Sequence, residues 1–135
     1  MMKIILFVVF ILPAMVWGQS NPQRTKAVST QNYSLNTRKK DSIISNIKSM
    51  LNSYAGKPDS PSTWILVRRA LTDYLANEWK NGALMGDKTD NAFFIHVDRT
   101  TMTESDINQN KLVVVVGLAL IKPSEFEIIR IEKLL

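Results

Sequence analysis

Apolar side chains recur three and four residues apart between Asp41 and Tyr54, at Ile43, Ile44, Ile47, Met50, Leu51 and Tyr54. That spacing is one face of an α-helix. Asp41 is a fair N-cap for it, and Gly56 is a natural stop. Residues 57–62, with two prolines, read as a loop, and Ser60 before Pro61, or Ser62 itself, caps the next helix. This second helix runs from about Thr63 to Asn81. Trp64, Val67, Leu71, Leu75 and Trp79 share one face, while Arg68, Arg69, Asp73 and Lys80 lie mostly off it. Gly82 supplies the left-handed residue that ends it.

The pattern then changes to that of strands. Ala92 to Val97 reads as a short strand, and Thr103 caps a helical turn containing Glu104 to Ile107. Asn110 tolerates a left-handed turn. Lys111 to Ile121 is nearly all apolar and β-branched, which suits a central strand covered on both faces. Gly117 within it predicts a bulge or a close backbone approach. Lys122-Pro123-Ser124 makes a tight connection to a final strand, Glu125 to Leu134. There the alternation of Phe126 and Ile128 slips to Ile129 and Ile131, which predicts a bulge or a two-sided environment. A strand in this position is either an internal sheet edge or a hook for a neighbouring subunit.

Charge changes this picture at the front of the chain. The net charge of +5 arises unevenly: residues 20–40 hold five basic and no acidic side chains, whereas residues 41–135 hold 11 basic and 12 acidic ones. A near-neutral domain without a basic stripe argues against nucleic acid as the main partner. Residues 19–40, polar and basic, bury too little apolar surface to offset their ordering entropy and read as a flexible basic arm. Ahead of them Lys3 precedes an apolar run of 14 residues, Ile4 to Trp17, broken by Pro13. That is a secretory h-region, short of the roughly 20 residues that span a bilayer. Cleavage is expected after Gly18, which gives a signal peptide (1–18), an arm (19–40) and a single domain (41–135), exported to the periplasm or beyond. An uncleaved membrane anchor is the alternative.

The search for chemistry is mostly negative. The chain lacks cysteine, so neither a disulfide framework nor a thiolate metal site is available. His96 is the only histidine, and a metal site needs several convergent ligands. His96 and Asp98 share a strand face, but no Gly-x-Ser-x-Gly elbow supplies a nucleophile. Asp87, Asp90 and Asp98 lack calcium-loop spacing, and Gly82 and Gly86 lack the lysine of a phosphate loop. No enzyme, cofactor, metal or small-molecule substrate is expected. Arg68 and Arg69 suit bidentate pairing with carboxylates of an adjacent subunit, or a solvated helix face.

The chain also carries a family resemblance. Thr63 to Arg69 (TWILVRR), Trp79 to Gly86 (WKNGALMG), Ala92-Phe93-Phe94, Met102 to Asn108 (MTESDIN), Val116 to Ala119 (VGLA) and Lys122 to Phe126 (KPSEF) resemble the C-terminal domain of contractile tail sheath proteins. The match is clear over residues 63–135 and weaker back to about Asp41. It implies an α+β fold, two helices on a small, mainly antiparallel sheet. It further implies a structural subunit that exchanges strands with copies of itself or with full-length sheath subunits, next to a tail tube. Phe126, Ile128, Ile129, Arg130 and Ile131 would lie in the exchange region, joining the sheet supplied by the Lys111 to Ile121 strand. Contraction would move subunits as rigid bodies tethered by those strands. Asn110 stands where the family usually has glycine, and Leu120 where proline is common. Full sheath subunits are several times longer and assemble in the cytoplasm. An exported binding module that no longer contracts or polymerises is the alternative reading.

Overall fold

The computed structural model describes the backbone from Pro22 and side chains from Thr30, in both cases to Leu135. The expected signal peptide (1–18) and the side chains of Arg24 and Lys26 lie outside the described residues. The chain divides into two units, residues 1–35 and 36–135. In the first, the described residues are helical from Pro22, with Tyr33 and Leu35 exposed.

Helix α1 is Pro22–Leu51. It begins at Pro22 rather than at Asp41, so the described residues of the expected arm are helical. The physical reason is local: no glycine or proline interrupts residues 23–51, so nothing stops the helix from propagating ahead of its buried end. Ile43, Ile47 and Leu51 are its buried stripe, flanked by Ile44 and Met50. A 3₁₀ turn, Asn52–Tyr54, follows, and Gly56 at φ +84° reverses the chain.

Helix α2 is Pro61–Lys80, with Thr63, Trp64, Val67, Leu71 and Leu75 buried. Ser60 occupies the N-cap and Pro61 the first turn, as the sequence predicts, but the Ser60 hydroxyl meets the Ser62 hydroxyl at 3.0 Å instead of a backbone N–H. Both tryptophans on its apolar face anchor the core through ring and indole N–H alike. Trp64 donates to Asp59 at 2.5 Å, and Trp79 to the Gly86 carbonyl at 2.7 Å. A short helix α3, Thr89–Ala92, leads into strand β1, Phe93–His96. Helix α4, Glu104–Asn108, starts with a capping box: Thr103 accepts from the Asp106 N–H, and Asp106 accepts from the Thr103 N–H. Asn110, left-handed at φ 53°, then opens strand β2, Lys111–Leu118, and strand β3 is Glu127–Leu134.

The three strands form one antiparallel sheet in the order β1-β2-β3, so the fold is α+β. The register is continuous across Gly117 and along β3, without a bulge in either. Gly117 serves the other expectation, close approach: a Cβ there would collide with the Phe94 ring. The expected slip in β3 resolves as two-sidedness. Ile129 and Ile131 face the main core with Phe93, Ile95, Val114, Val116 and Leu118, while Ile128 faces the opposite side with Phe94 and Val115. β2 is buried on both faces, as predicted. On the second face, Val113 lies beneath the segment before α4, where the Thr101 hydroxyl donates to the Val113 carbonyl at 2.9 Å. Both strands are shorter than expected, because residues 119–126 form an eight-residue connection.

Candidate functional site

Strand β3 lies at the edge of the sheet. It pairs with β2 along its whole length, from Lys111 opposite Leu134 to Leu118 opposite Glu127, and among the described residues no strand pairs its outer side. Its side chains divide by period two. Ile131, 3% exposed, sits opposite Val114 in the core, and half-buried Ile129 sits opposite Val116. Ile128, 66% exposed, lies over Gly117, and exposed Arg130 lies opposite Val115. Only one of the eight residues of β3 is fully buried, so the strand is held mainly by its backbone ladder.

Two polar contacts set α1 against β3. Lys40 pairs with Glu127 at 2.6 Å, and Lys133 donates to the Asn52 side chain at 2.8 Å. From Lys40 to Asn52 the helix rises about 18 Å, and from Glu127 to Lys133 the strand rises about 20 Å. Between Lys40 and Asn52 the chain therefore runs parallel to the strand, and these contacts tie it near the two ends of β3. Ser45, Lys48, Ser49, Leu51 and Asn52 of this region line a groove of about 510 Å³ with Ile131, Glu132 and Lys133.

The second face of β3 carries a charged end and an aromatic end. At the charged end, Lys111 lies 3.2 Å from Asp106 and 3.6 Å from Glu132, which also pairs with Arg130 at 3.0 Å. Hydrogen bonds from the Thr103 backbone N–H and the Thr103 side chain, and then Lys111, hold the Asp106 carboxyl down to about 2. Asp106 in turn pushes the Lys111 ammonium up. At the aromatic end, the Phe94 ring lies 5.1 Å from those of both His96 and Phe126, edge-on to the latter. Phe126 precedes the strand and also lines a groove of about 290 Å³ with Leu118, Leu120, Ile121, Glu125 and Glu127.

The residues expected in the exchange region are thus gathered on β3 and its approach: Phe126, Ile128 and Arg130 on one face, Ile129 and Ile131 on the other. Arg68 and Arg69 stand elsewhere, on the exposed side of α2 beside Ile65, which is 60% exposed, and neither has an ion-pair partner among the described residues. His96 is exposed at the end of β1. Asp98 is held below the usual carboxylate range, first by the Thr100 side chain and then by its N–H. No group of three or more metal-ligating side chains occurs among the described residues, nor does any helix there that is long and apolar enough to cross a membrane. Sequence reasoning missed the tie between α1 and β3 and the attachment of the 119–126 connection to Asn91. Both join residues far apart in the chain and leave no periodic trace.

No protein-family model matches the chain, and no curated protein matches it. Solved structures do. The chain is similar to a protein of the anti-feeding prophage baseplate, with 37% identity over 69% of this chain and a TM-score of 0.58. It is also similar to a protein of the PVC sheath complex of an extracellular contractile injection system in the contracted state, with 34% identity over 67% of this chain and a TM-score of 0.56. In each case the match covers 26% of that chain, so this chain corresponds to about a quarter of the length of the proteins it matches. It carries a sheath-like domain of contractile injection systems, and the similarity supports a structural role.

Proposed function

We propose that this chain is a structural subunit or assembly module of the contractile-injection type that joins its neighbours by exchanging β3. The observation that carries this reading is the state of that strand. It is an edge strand with one buried residue of eight, in a domain similar to parts of a baseplate and a sheath complex. In exchange, β3 leaves its own β2 and takes the same register on the β2 of a neighbour. Backbone hydrogen bonds then supply the strength, and Ile129 and Ile131 fix the register through the neighbour's Val116 and Val114. Copies of this chain or longer sheath subunits are the partners, and Arg68 and Arg69 face carboxylates of an adjacent subunit. Residues 1–18 direct export and are removed.

Because the chain has no cysteine, strand pairing is testable by a single engineered disulfide. Val115 and Arg130 are directly opposite in the register, within reach of a disulfide. Val115→Cys combined with Arg130→Cys is oxidised in the full chain and run without reductant. Exchange gives disulfide-linked dimers and longer ladders. A product cross-linked only within single chains overturns exchange, and favours the exported binding module whose edge takes a strand from some other partner.

A further inference from the structure

Exchange of β3 requires the connection 119–126 to open, and this connection is pinned at a defined place. Ala119 is fixed by hydrogen bonds on both sides: its N–H donates to the Ala92 carbonyl at 2.9 Å, and its carbonyl accepts from the Met85 N–H at 2.8 Å. Five residues on, the Ser124 N–H donates to the Asn91 carbonyl at 2.8 Å and the Ser124 hydroxyl to the Asn91 side-chain oxygen at 3.1 Å. The Asn91 side chain is itself held, donating to Asp87 at 2.7 Å. Ser124 adopts φ +63°, a left-handed conformation that a serine enters at a cost. The Phe126 ring then closes on Phe94. Eight residues are more than a hairpin usually needs, and fully extended they span about 26 Å, enough to carry β3 well away from its own β2.

We propose that Asn91 and Ser124 form a latch that sets the balance between β3 paired at home and β3 released for exchange. This rests on the exchange reading above. The closed latch holds Ser124 left-handed by two hydrogen bonds that Ser124 donates to one residue of α3, Asn91. When the connection extends, both bonds break, the Phe126–Phe94 contact is lost, and Ser124 relaxes to an ordinary extended backbone. The two effects oppose each other: the hydrogen bonds favour closure, and the left-handed serine favours opening. Asn91 and Ser124 are positioning residues here, since neither lies in β3 or pairs with it.

Ser124 is exposed, so substitutions there leave the core intact and are expected to fold. Ser124→Val keeps the backbone N–H but resists a left-handed backbone, whereas Ser124→Gly adopts it freely. Asn91→Ala removes the side-chain acceptor. Each change is made in the full chain, and hydrogen exchange of the β3 amides is read alongside the Val115→Cys, Arg130→Cys cross-link. Ser124→Val and Asn91→Ala are expected to speed β3 amide exchange and raise the share of cross-links between chains by roughly three- to tenfold, as for one lost hydrogen bond. Ser124→Gly relieves the left-handed strain but also loses the hydroxyl bond to Asn91, so both readouts are expected to rise by clearly less than with Ser124→Val. Amide exchange and cross-link ratios that do not respond to either Ser124 variant, in a chain that does exchange strands, overturn the latch alone. Absence of cross-links between chains in every variant overturns strand exchange, and the latch with it.

Discussion

Gly117 shows how one residue can decide a surface. It pairs with Phe94 on one side and Ile128 on the other, and its missing side chain is the space the Phe94 ring occupies. Gly117→Ala should therefore destabilise the chain by about 1–3 kcal/mol through overpacking, read as a lower denaturant midpoint. The loss should shrink when Phe94→Ala removes the ring. Asp106 makes a second case, through charge. Its folded carboxyl titrates at about 2, against about 3.9 in an unfolded chain. A depressed carboxyl contributes stability that is whole above the unfolded value and fades as pH falls through the folded one. Urea midpoints of the parent and of Asp106→Asn should differ at pH 5 and converge between about pH 4 and pH 2. Curves that stay parallel across that window would remove Asp106 from the acid response.

At the scale of elements, β3 combines two jobs on alternating positions. Ile131 belongs to the core, so Ile131→Ala should cost about 2–5 kcal/mol in folding stability. Ile128, on the open face, should tolerate alanine within about 0.5 kcal/mol. Equal losses on thermal unfolding of the two variants would mean that the strand is buried on both sides. This division is also why the sequence reads ambiguously there: a run of Ile128, Ile129 and Ile131 breaks strict alternation, yet the structure accommodates it with a regular ladder. The helix faces were legible from spacing alone, down to Val67, Leu71 and Leu75. The start of α1 was not, because propagation of a helix through polar residues carries no apolar period.

For the whole molecule, the basic, apolar front and the neutral domain point to separate tasks. If residues 1–18 are an export signal, protein recovered from its site of action should begin at Gln19, as read by intact mass and terminal sequencing. A full-length mass with Met1 or Met2 retained would instead indicate an anchor or no export. The strand itself was partly legible at this scale: the sequence placed Phe126, Ile128, Ile129, Arg130 and Ile131 on a final strand, and the last four lie on β3 with Phe126 just ahead of it. It could not show which of them face the helices, since that depends on register with a strand ten or more residues away. Composition and periodicity by themselves determined the apolar faces of the two long helices, the three strands, the turn residues Gly82 and Asn110, and the cap at Thr103. Those depend on neighbours within a few positions. Only the tertiary structure decided that β3 is an edge, that α1 runs along it between Lys40 and Asn52, and that Asn91 holds Ser124. Such contacts form between residues 33 to 87 positions apart, and their energies exist only once the chain has brought them together.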